Sequence, residues 1–356
     1  MPRESLSIQV PKTLGQKTLA LAGKLEISNK ELEIQKNAHF LYVPLTRQPS
    51  EEEMIILKDQ LTGFQLKAHV FPERKPPEKT LPEILGNQLP PHLLAILPRA
   101  LDIVGDIAII QIPVELRTDE KIIGEAILKT RRNIRTVLTK IGAVSGTYRL
   151  PEFAFAAGEK RTNTVHKEYG CKYYVDLEKV YFSPRLSQEH RRVAVSVQEG
   201  ETIVDLFAGA GPFSVLIAKK HENVKVYAVD INPKAIELLK RNIRLNRVEN
   251  RVFPILGDAK QVTQDKLFGA TDRVIMNLPE KAIEFVDAAC ATTKRAGGTV
   301  HFYGFVRLPD TLENVKLRFS QAVEKAGRRV DRFPIAKNIR ETAPYEWQIV
   351  LDAKIL

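Results

Sequence analysis

The stretch Ile203 to Phe213, IVDLFAGAGPF, decides the fold of this 356-residue chain. Ile203 and Val204 are apolar and β-branched, Asp205 closes the run, Gly209 and Gly211 break it, and Phe213 to Lys220 reads as a helix. Strand, tight turn and helix in that order make the first βα turn of a doubly wound sheet. Glycines in such a turn let the backbone approach a ligand at the carboxyl end of the strand, where open α/β sheets bind cofactors.

The same unit recurs downstream. Val224 to Val229 is a second apolar strand ending in Asp230, and an acid at that tip can accept both ribose hydroxyls of a nucleoside. Asn232 and Pro233 start the next helix as N-cap and first-turn proline, with Ala235, Ile236, Leu238, Leu239 and Ile243 as its buried stripe. A third strand, Arg251 to Leu256, ends in Gly257-Asp258, placed to hydrogen-bond an adenine amino group; a fourth, Arg273 to Met276, runs into Asn277-Leu278-Pro279. A dinucleotide suits this frame too, but the turn holds two glycines rather than the three of a pyrophosphate cradle. Asn-x-Pro alone is an ordinary strand-ending turn. In register behind the other three tips, it points to the S-adenosylmethionine (SAM) pocket of a methyltransferase.

Composition sets the bounds. With 44% hydrophobic residues the chain can build two or three cores, and no run of eighteen apolar residues or signal-peptide core occurs, so a membrane span and secretion are not expected. Cys171 and Cys290 fall in separate expected domains, which argues against a disulfide framework or a cysteine-rich metal site and suits a reducing cytoplasm. No metal is expected. The net charge of +11 suggests a polyanionic partner, and Lys129 to Lys140 holds five positive charges and no acid. A solvated helical face is the plain alternative for that strip.

Three domains are expected: residues 1–72, a small α+β module; 81–179, a second α+β module; and 180–356, the α/β domain. Pro72 to Thr80, polar and proline-rich, reads as a linker. In the second module, Asp102 to Ile112 reads as a strand, Thr118 to Thr130 as a helix and Val165 to Asp176 as a hairpin about Gly170. Thr299 to Phe305 and Trp347 to Leu351 would complete a seven-stranded sheet.

YFSPRL at 181–186, followed by SQEHRR, VDLFAGAGPF, DINPKA and NLPEKA, resembles the archaeal and eukaryotic tRNA (guanine-N1)-methyltransferases that act at position 37. GTYRLPEF and GEKRTNTVHKEYG extend the likeness back to about Leu81, and residues 1–72 match only as the small N-terminal domain of longer archaeal members. The resemblance implies a Rossmann-like class I SAM-dependent methyltransferase domain preceded by two smaller α+β RNA-binding domains. It also implies a monomer that takes the anticodon stem-loop and outer corner of tRNA.

On these residues it implies Glu189 as general base and Arg149 on the guanine carbonyl, with Asn277 and Pro279 lining the base pocket. Tyr181, Arg185 and Leu186 would flank the cofactor, which Asp205, Phe207, Gly209, Gly211, Asp230, Ile231, Asn232 and Asp258 would hold. Lys160 and Arg161 would meet RNA, and the charge run of Lys129 to Lys140 adds Arg131, Arg132 and Arg135 as phosphate contacts. Chemistry agrees: guanine N1 carries a proton at neutral pH, so methylation needs a base for it and a donor for charge moving onto O6. Without the resemblance, Glu189 reads as a solvent-facing helix carboxylate paired with Arg191 or Arg192. Methylation at C7 of the wyosine precursor, an rRNA or small-molecule methyltransferase, and a tRNA binder with a vestigial SAM site are the alternatives.

Overall fold

The computed structural model describes residues 2–74, 80–142, 146, 148 and 150–356. Two compact units divide the chain, residues 1–79 and 80–356. Most of the expected linker, residues 75–79, lies outside the described residues.

In the first unit, β1 (Arg3–Pro11), β2 (Gln35–Lys36), β3 (Phe40–Pro44) and β4 (Gln65–Phe71) form an antiparallel sheet in the order β2-β3-β1-β4. Helices α1 (Gly15–Lys24) and α2 (Glu51–Gln60) supply Leu21, Ala22 and Leu57 to its core with Ile8, Val10 and Val43. A capping box between Ser50 and Glu53 starts α2.

The second unit opens with α3 (Leu81–Leu85) and α4 (Pro91–Ala95), which carry Pro82 and Pro91 in their first turns, where proline's missing N–H costs nothing. Next come β5 (Leu101–Val104), β6 (Ile107–Ile110), α5 (Glu120–Thr130), β7 (Thr136–Lys140) and β8 (Phe153–Gly158). Their sheet has the order β5-β6-β7-β8, with α5 as crossover between parallel β6 and β7. The single strand expected over Asp102 to Ile112 is therefore a hairpin, because Gly105 turns the chain at φ +59. A ribbon of β9 (Asn163–Glu168) and β10 (Cys171–Asp176) follows, with its turn at Tyr169 and Gly170 as expected.

The remainder is α6 (Ser187–Ser196), β11 (Thr202–Asp205), α7 (Pro212–Lys220), β12 (Lys225–Asp230), α8 (Pro233–Asn246), β13 (Val252–Leu256), α9 (Ala259–Lys266), β14 (Arg273–Met276), α10 (Val286–Thr292), β15 (Gly298–Arg307), α11 (Leu312–Lys325), β16 (Val330–Ala343) and β17 (Glu346–Ile355). Its seven strands run β13-β12-β11-β14-β15-β17-β16, parallel except that β17 is antiparallel to both neighbours. Two buried apolar clusters contribute alternate residues of β11, Ile203 to one and Val204 to the other. The strand order reverses between β11 and β14, the switch point where such sheets take ligands. No helix among the described residues is long and apolar enough to cross a membrane.

Candidate active site

A cavity of about 480 Å³ lies against the carboxyl ends of β11 to β14, with Phe207, Gly209, Asp230, Asp258 and Asn277 in its wall. Two glycines shape the first turn. Gly211, the N-cap of α7, has φ +88, and a Cβ there would sit 2.4 Å from Leu239 Cδ1. Gly209, at φ +55, donates its N–H to Asp230 Oδ2 at 2.7 Å, and Asn232 donates its N–H to Oδ1 at 2.8 Å. Burial pushes the Asp230 carboxyl above its ordinary range, and these two N–H groups oppose that rise. A carboxylate so braced is a rigid acceptor for a pair of hydroxyls.

Asn232 caps α8 by accepting from the Lys234 N–H at 2.9 Å, and its Nδ2 donates to the Lys179 carbonyl at 2.8 Å. Asp258 lines the cavity while its Oδ1 caps α9. Ile231, Tyr181, Leu186 and Pro279 also line it, and Phe207 packs edge-on against Phe285, 5.0 Å between centroids. Asn277 Oδ1 is buried without a hydrogen-bond partner, an acceptor waiting for a donor. Ribose-sized hydroxyl acceptors, aromatic walls and an orphaned acceptor fit SAM and a target base.

Four expected site residues lie elsewhere. Asp205 is 1% exposed and absent from the cavity wall, because it ends β11 facing α7, where Oδ2 accepts from the Ser214 hydroxyl at 2.8 Å. Gly211 shapes the turn from behind the wall. The SPRL element is one 3-10 turn, so consecutive side chains diverge: Leu186 faces the cavity, whereas Arg185 pairs with Asp102 at 2.5 Å and lines a neighbouring cavity of about 700 Å³. Glu189 is also outside the wall. It pairs with Arg192 at 2.7 Å, yet it is 4% exposed rather than solvent-facing, because α6 packs on α7 and the Tyr303 hydroxyl of β15 reaches Glu189 from the sheet. Arg149 lies outside the described residues; Gly146 and Tyr148 beside it line the cavity.

Of the basic positions, Arg131, Arg132 and Lys160 are exposed, and Arg135 pairs with Glu159 at 3.5 Å. The charged strip is not one face, since Ile134 and Thr136 to Thr139 between and after its arginines are buried. Arg161 is a clamp: its guanidinium donates to Glu159 at 2.7 Å, the Asn163 carbonyl at 2.6 Å and Asp106 at 2.6 Å.

Sequence reading missed Arg340 and Gln348, which face the cavity from the hairpin of β16 and β17, with Arg340 Nε donating to Gln348 Oε1 at 3.0 Å. No local motif marks them. His190 also lines the cavity, fixed by Glu168 at 2.8 Å and edge-on to Phe213.

Fold and pocket together are those of an α/β protein with a nucleoside-sized cavity at the switch point of its sheet. Residues 164–331 match the TRM5/TYW2 methyltransferase domain and residues 81–162 the TYW2 N-terminal domain. The chain is 37% identical to the tRNA (guanine(37)-N(1))-methyltransferase Trm5b of Pyrococcus abyssi over 99% of each chain. A crystal structure of that protein aligns at a TM-score of 0.73, 36% identical, again over 99% of both. Methanocaldococcus jannaschii Trm5 in complex with adenosine aligns at 0.63 and 33% identity, covering 98% of this chain and 99% of that one. The tRNA 4-demethylwyosine(37)-methyltransferase Taw21 of Saccharolobus solfataricus is 35% identical over 72% of this chain and 94% of its own. The chain belongs to the TRM5/TYW2 methyltransferase family, and it is a methyltransferase.

Proposed function

We propose that the protein transfers a methyl group from SAM to N1 of guanosine 37 in tRNA. The observation that carries this reading is coverage. The Pyrococcus guanine-N1 enzyme matches over 99% of both chains, whereas the wyosine-type relative, nearly all of whose own length is matched, leaves more than a quarter of this chain without a counterpart.

SAM, when bound, supplies a methyl on a sulfonium that needs no further activation. Asp230 would hold its ribose, Asp258 its adenine, and Asn277 and Pro279 the target base. Glu189 removes the N1 proton and Arg149 steadies charge on O6. Residues 1–72 and 81–179 form two RNA-binding domains, in which Arg131, Arg132, Arg135 and Lys160 meet phosphate, and the enzyme acts as a cytoplasmic monomer.

Labelled SAM with tRNA transcripts differing only at position 37, followed by digestion to nucleosides, tests the assignment. The expected product is 1-methylguanosine, formed only when position 37 is guanosine. Label found only on a wyosine precursor, or equal label on transcripts lacking guanosine 37, would overturn it.

A further inference from the structure

Glu189 is held by groups from several elements. α6 gives Arg192, β15 gives Tyr303 and His301, β16 gives Lys337 and β17 gives Asp352. Lys337, Glu189, Arg192 and Asp352 form a chain of alternating charge, with neutral Tyr303 and His301 beside it. Lys337 Nζ lies 3.3 Å from Glu189 Oε1, Arg192 Nε donates to Glu189 Oε2 at 2.7 Å, and the Tyr303 hydroxyl adds to Oε2 at 3.2 Å. Arg192 then grips both oxygens of Asp352, at 2.5 and 3.1 Å.

The far end fixes a tautomer. Arg273 can only donate, so His301 Nε2, 2.8 Å away, accepts, and the imidazole proton sits on Nδ1, which donates to Asp352 at 2.7 Å. Burial lowers the His301 pKa, in keeping with this neutral ring. Burial would raise Asp352, but His301 and Arg192 outweigh it and hold the carboxyl at about 2. Arg273 is in turn anchored by Glu201 at 2.8 Å. Arg192 is thus fixed from behind by a permanent anion.

The two oxygens of Glu189 differ sharply. Oε2 has two donors, the buried Tyr303 hydroxyl and the partly buried Arg192 guanidinium, whereas Oε1 has one cation, on a side chain 49% exposed. We propose that Arg192 and Lys337 are positioning residues that divide the two oxygens of Glu189: Oε2 is the fixed point, and Oε1 takes the N1 proton once Lys337 yields its place. The inference rests on Glu189 being the base. The N1–H bond breaks as Oε1–H forms, the electron pair left on N1 takes the methyl carbon, and the C–S pair returns to sulfur. A tRNA phosphate offers the displaced ammonium a new partner.

The test is single-turnover methyl transfer between pH 4.5 and 8 at saturating SAM with tRNA and enzyme kept below their dissociation constant, so that the acid limb reports the tRNA-free enzyme in which Lys337 still faces Glu189, with tRNA affinity against salt as a second readout. Removing a cation from a carboxylate raises its pKa, by one to three units for a partner within about 4 to 6 Å. Half exposure puts Lys337 at the low end. Lys337→Met should therefore move the acid limb up by about one pH unit, with Lys337→Arg restoring it, and flatten the tRNA salt dependence by up to about 0.9 of log-log slope. In a Glu189→Gln background, Lys337→Met should leave the acid limb where Glu189→Gln alone puts it.

An acid limb that Lys337→Met leaves in place, or an equal shift in the Glu189→Gln background, overturns the positioning role while Glu189 stays the base. A salt slope that Lys337→Met leaves unchanged removes the transfer to phosphate. A Glu189→Gln enzyme with near-normal rate removes the base itself, and this proposal with it. Arg192→Gln should shift the limb the same way and also lower the plateau; Lys337, being half-exposed, keeps the test open if that variant does not fold.

Discussion

Asp205 and Asp230 end adjacent parallel strands, yet their surroundings give them opposite work. Asp230 has two backbone donors and a cavity in front of it; Asp230→Ala should weaken SAM binding by about 2 to 4 kcal/mol, the worth of two hydrogen bonds to a carboxylate. Calorimetric titration of a folded variant checks this, and unchanged affinity refutes it. Asp205 has one hydroxyl donor and an unpartnered Oδ1, and burial pushes its carboxyl up to about 7 from an ordinary 3.8. The folded state therefore holds this proton more tightly than the unfolded chain, and its stability contribution, complete below pH 3.8, is lost as pH rises to about 7. Asp205→Asn should gain stability relative to the parent over that window, by at most about 4 kcal/mol. Melting curves separated by the same interval at pH 4 and pH 8 would refute it. For Glu189→Gln, which keeps shape but cannot accept a proton, single-turnover methyl transfer should fall by roughly a hundredfold or more with both affinities preserved. A near-normal rate would end its role as base.

Helix α8 acts as a substitute strand. Asn242 and Asn246, one turn apart, bond the backbone of β10: Asn242 takes the Tyr174 N–H at 2.7 Å and gives to its carbonyl at 3.0 Å, and Asn246 does the same for Lys172 at 2.9 and 2.7 Å. Asn242 also donates to the Ala210 carbonyl at 2.9 Å, inside the glycine turn. Asn242→Leu would leave three backbone groups unpaired, the buried Ala210 carbonyl and the partly buried Tyr174 N–H and carbonyl, at about 1 to 3 kcal/mol for each that water does not reach. A net loss near 3 kcal/mol in urea unfolding, with weaker SAM binding, is expected; a loss under about 1 kcal/mol would show that the ribbon docks by apolar contact. The sequence carried the apolar stripe of α8 but not this, since an asparagine on a helix reads as solvent-facing until a strand edge lies against it. For the same reason Asp230 and Asn277 were legible as strand tips, whereas Arg340 and Gln348 were not. They reach the cavity through a hairpin whose pairing no local pattern encodes. Arg185 was misplaced because a 3-10 turn sends neighbouring side chains in different directions, which the motif's spelling does not show.

Across the whole chain, the +11 charge is the feature that most concerns the partner, and the structure sorts its basic residues into those already engaged and those that are not. Arg161 spends its guanidinium on two carboxylates and a carbonyl, so it is excluded from the test of RNA binding. Arg131 and Arg132 are exposed with no ion pair among the described residues, and Arg135 shares a single exposed pair with Glu159. An exposed pair of that kind is worth little and gives way to a phosphate. Replacing these three arginines together with alanine should weaken tRNA binding and reduce the slope of log affinity against log salt, by about 0.7 to 0.9 for each phosphate that is no longer neutralised. SAM affinity should not move, because none of the three lines the cofactor cavity. Binding titrations at several salt concentrations decide it. A weaker affinity with an unchanged slope would mean that the substitutions disturbed the sheet around Ile134 and Thr136 rather than removed counter-ions, and an unchanged affinity would make the segment a solvated face.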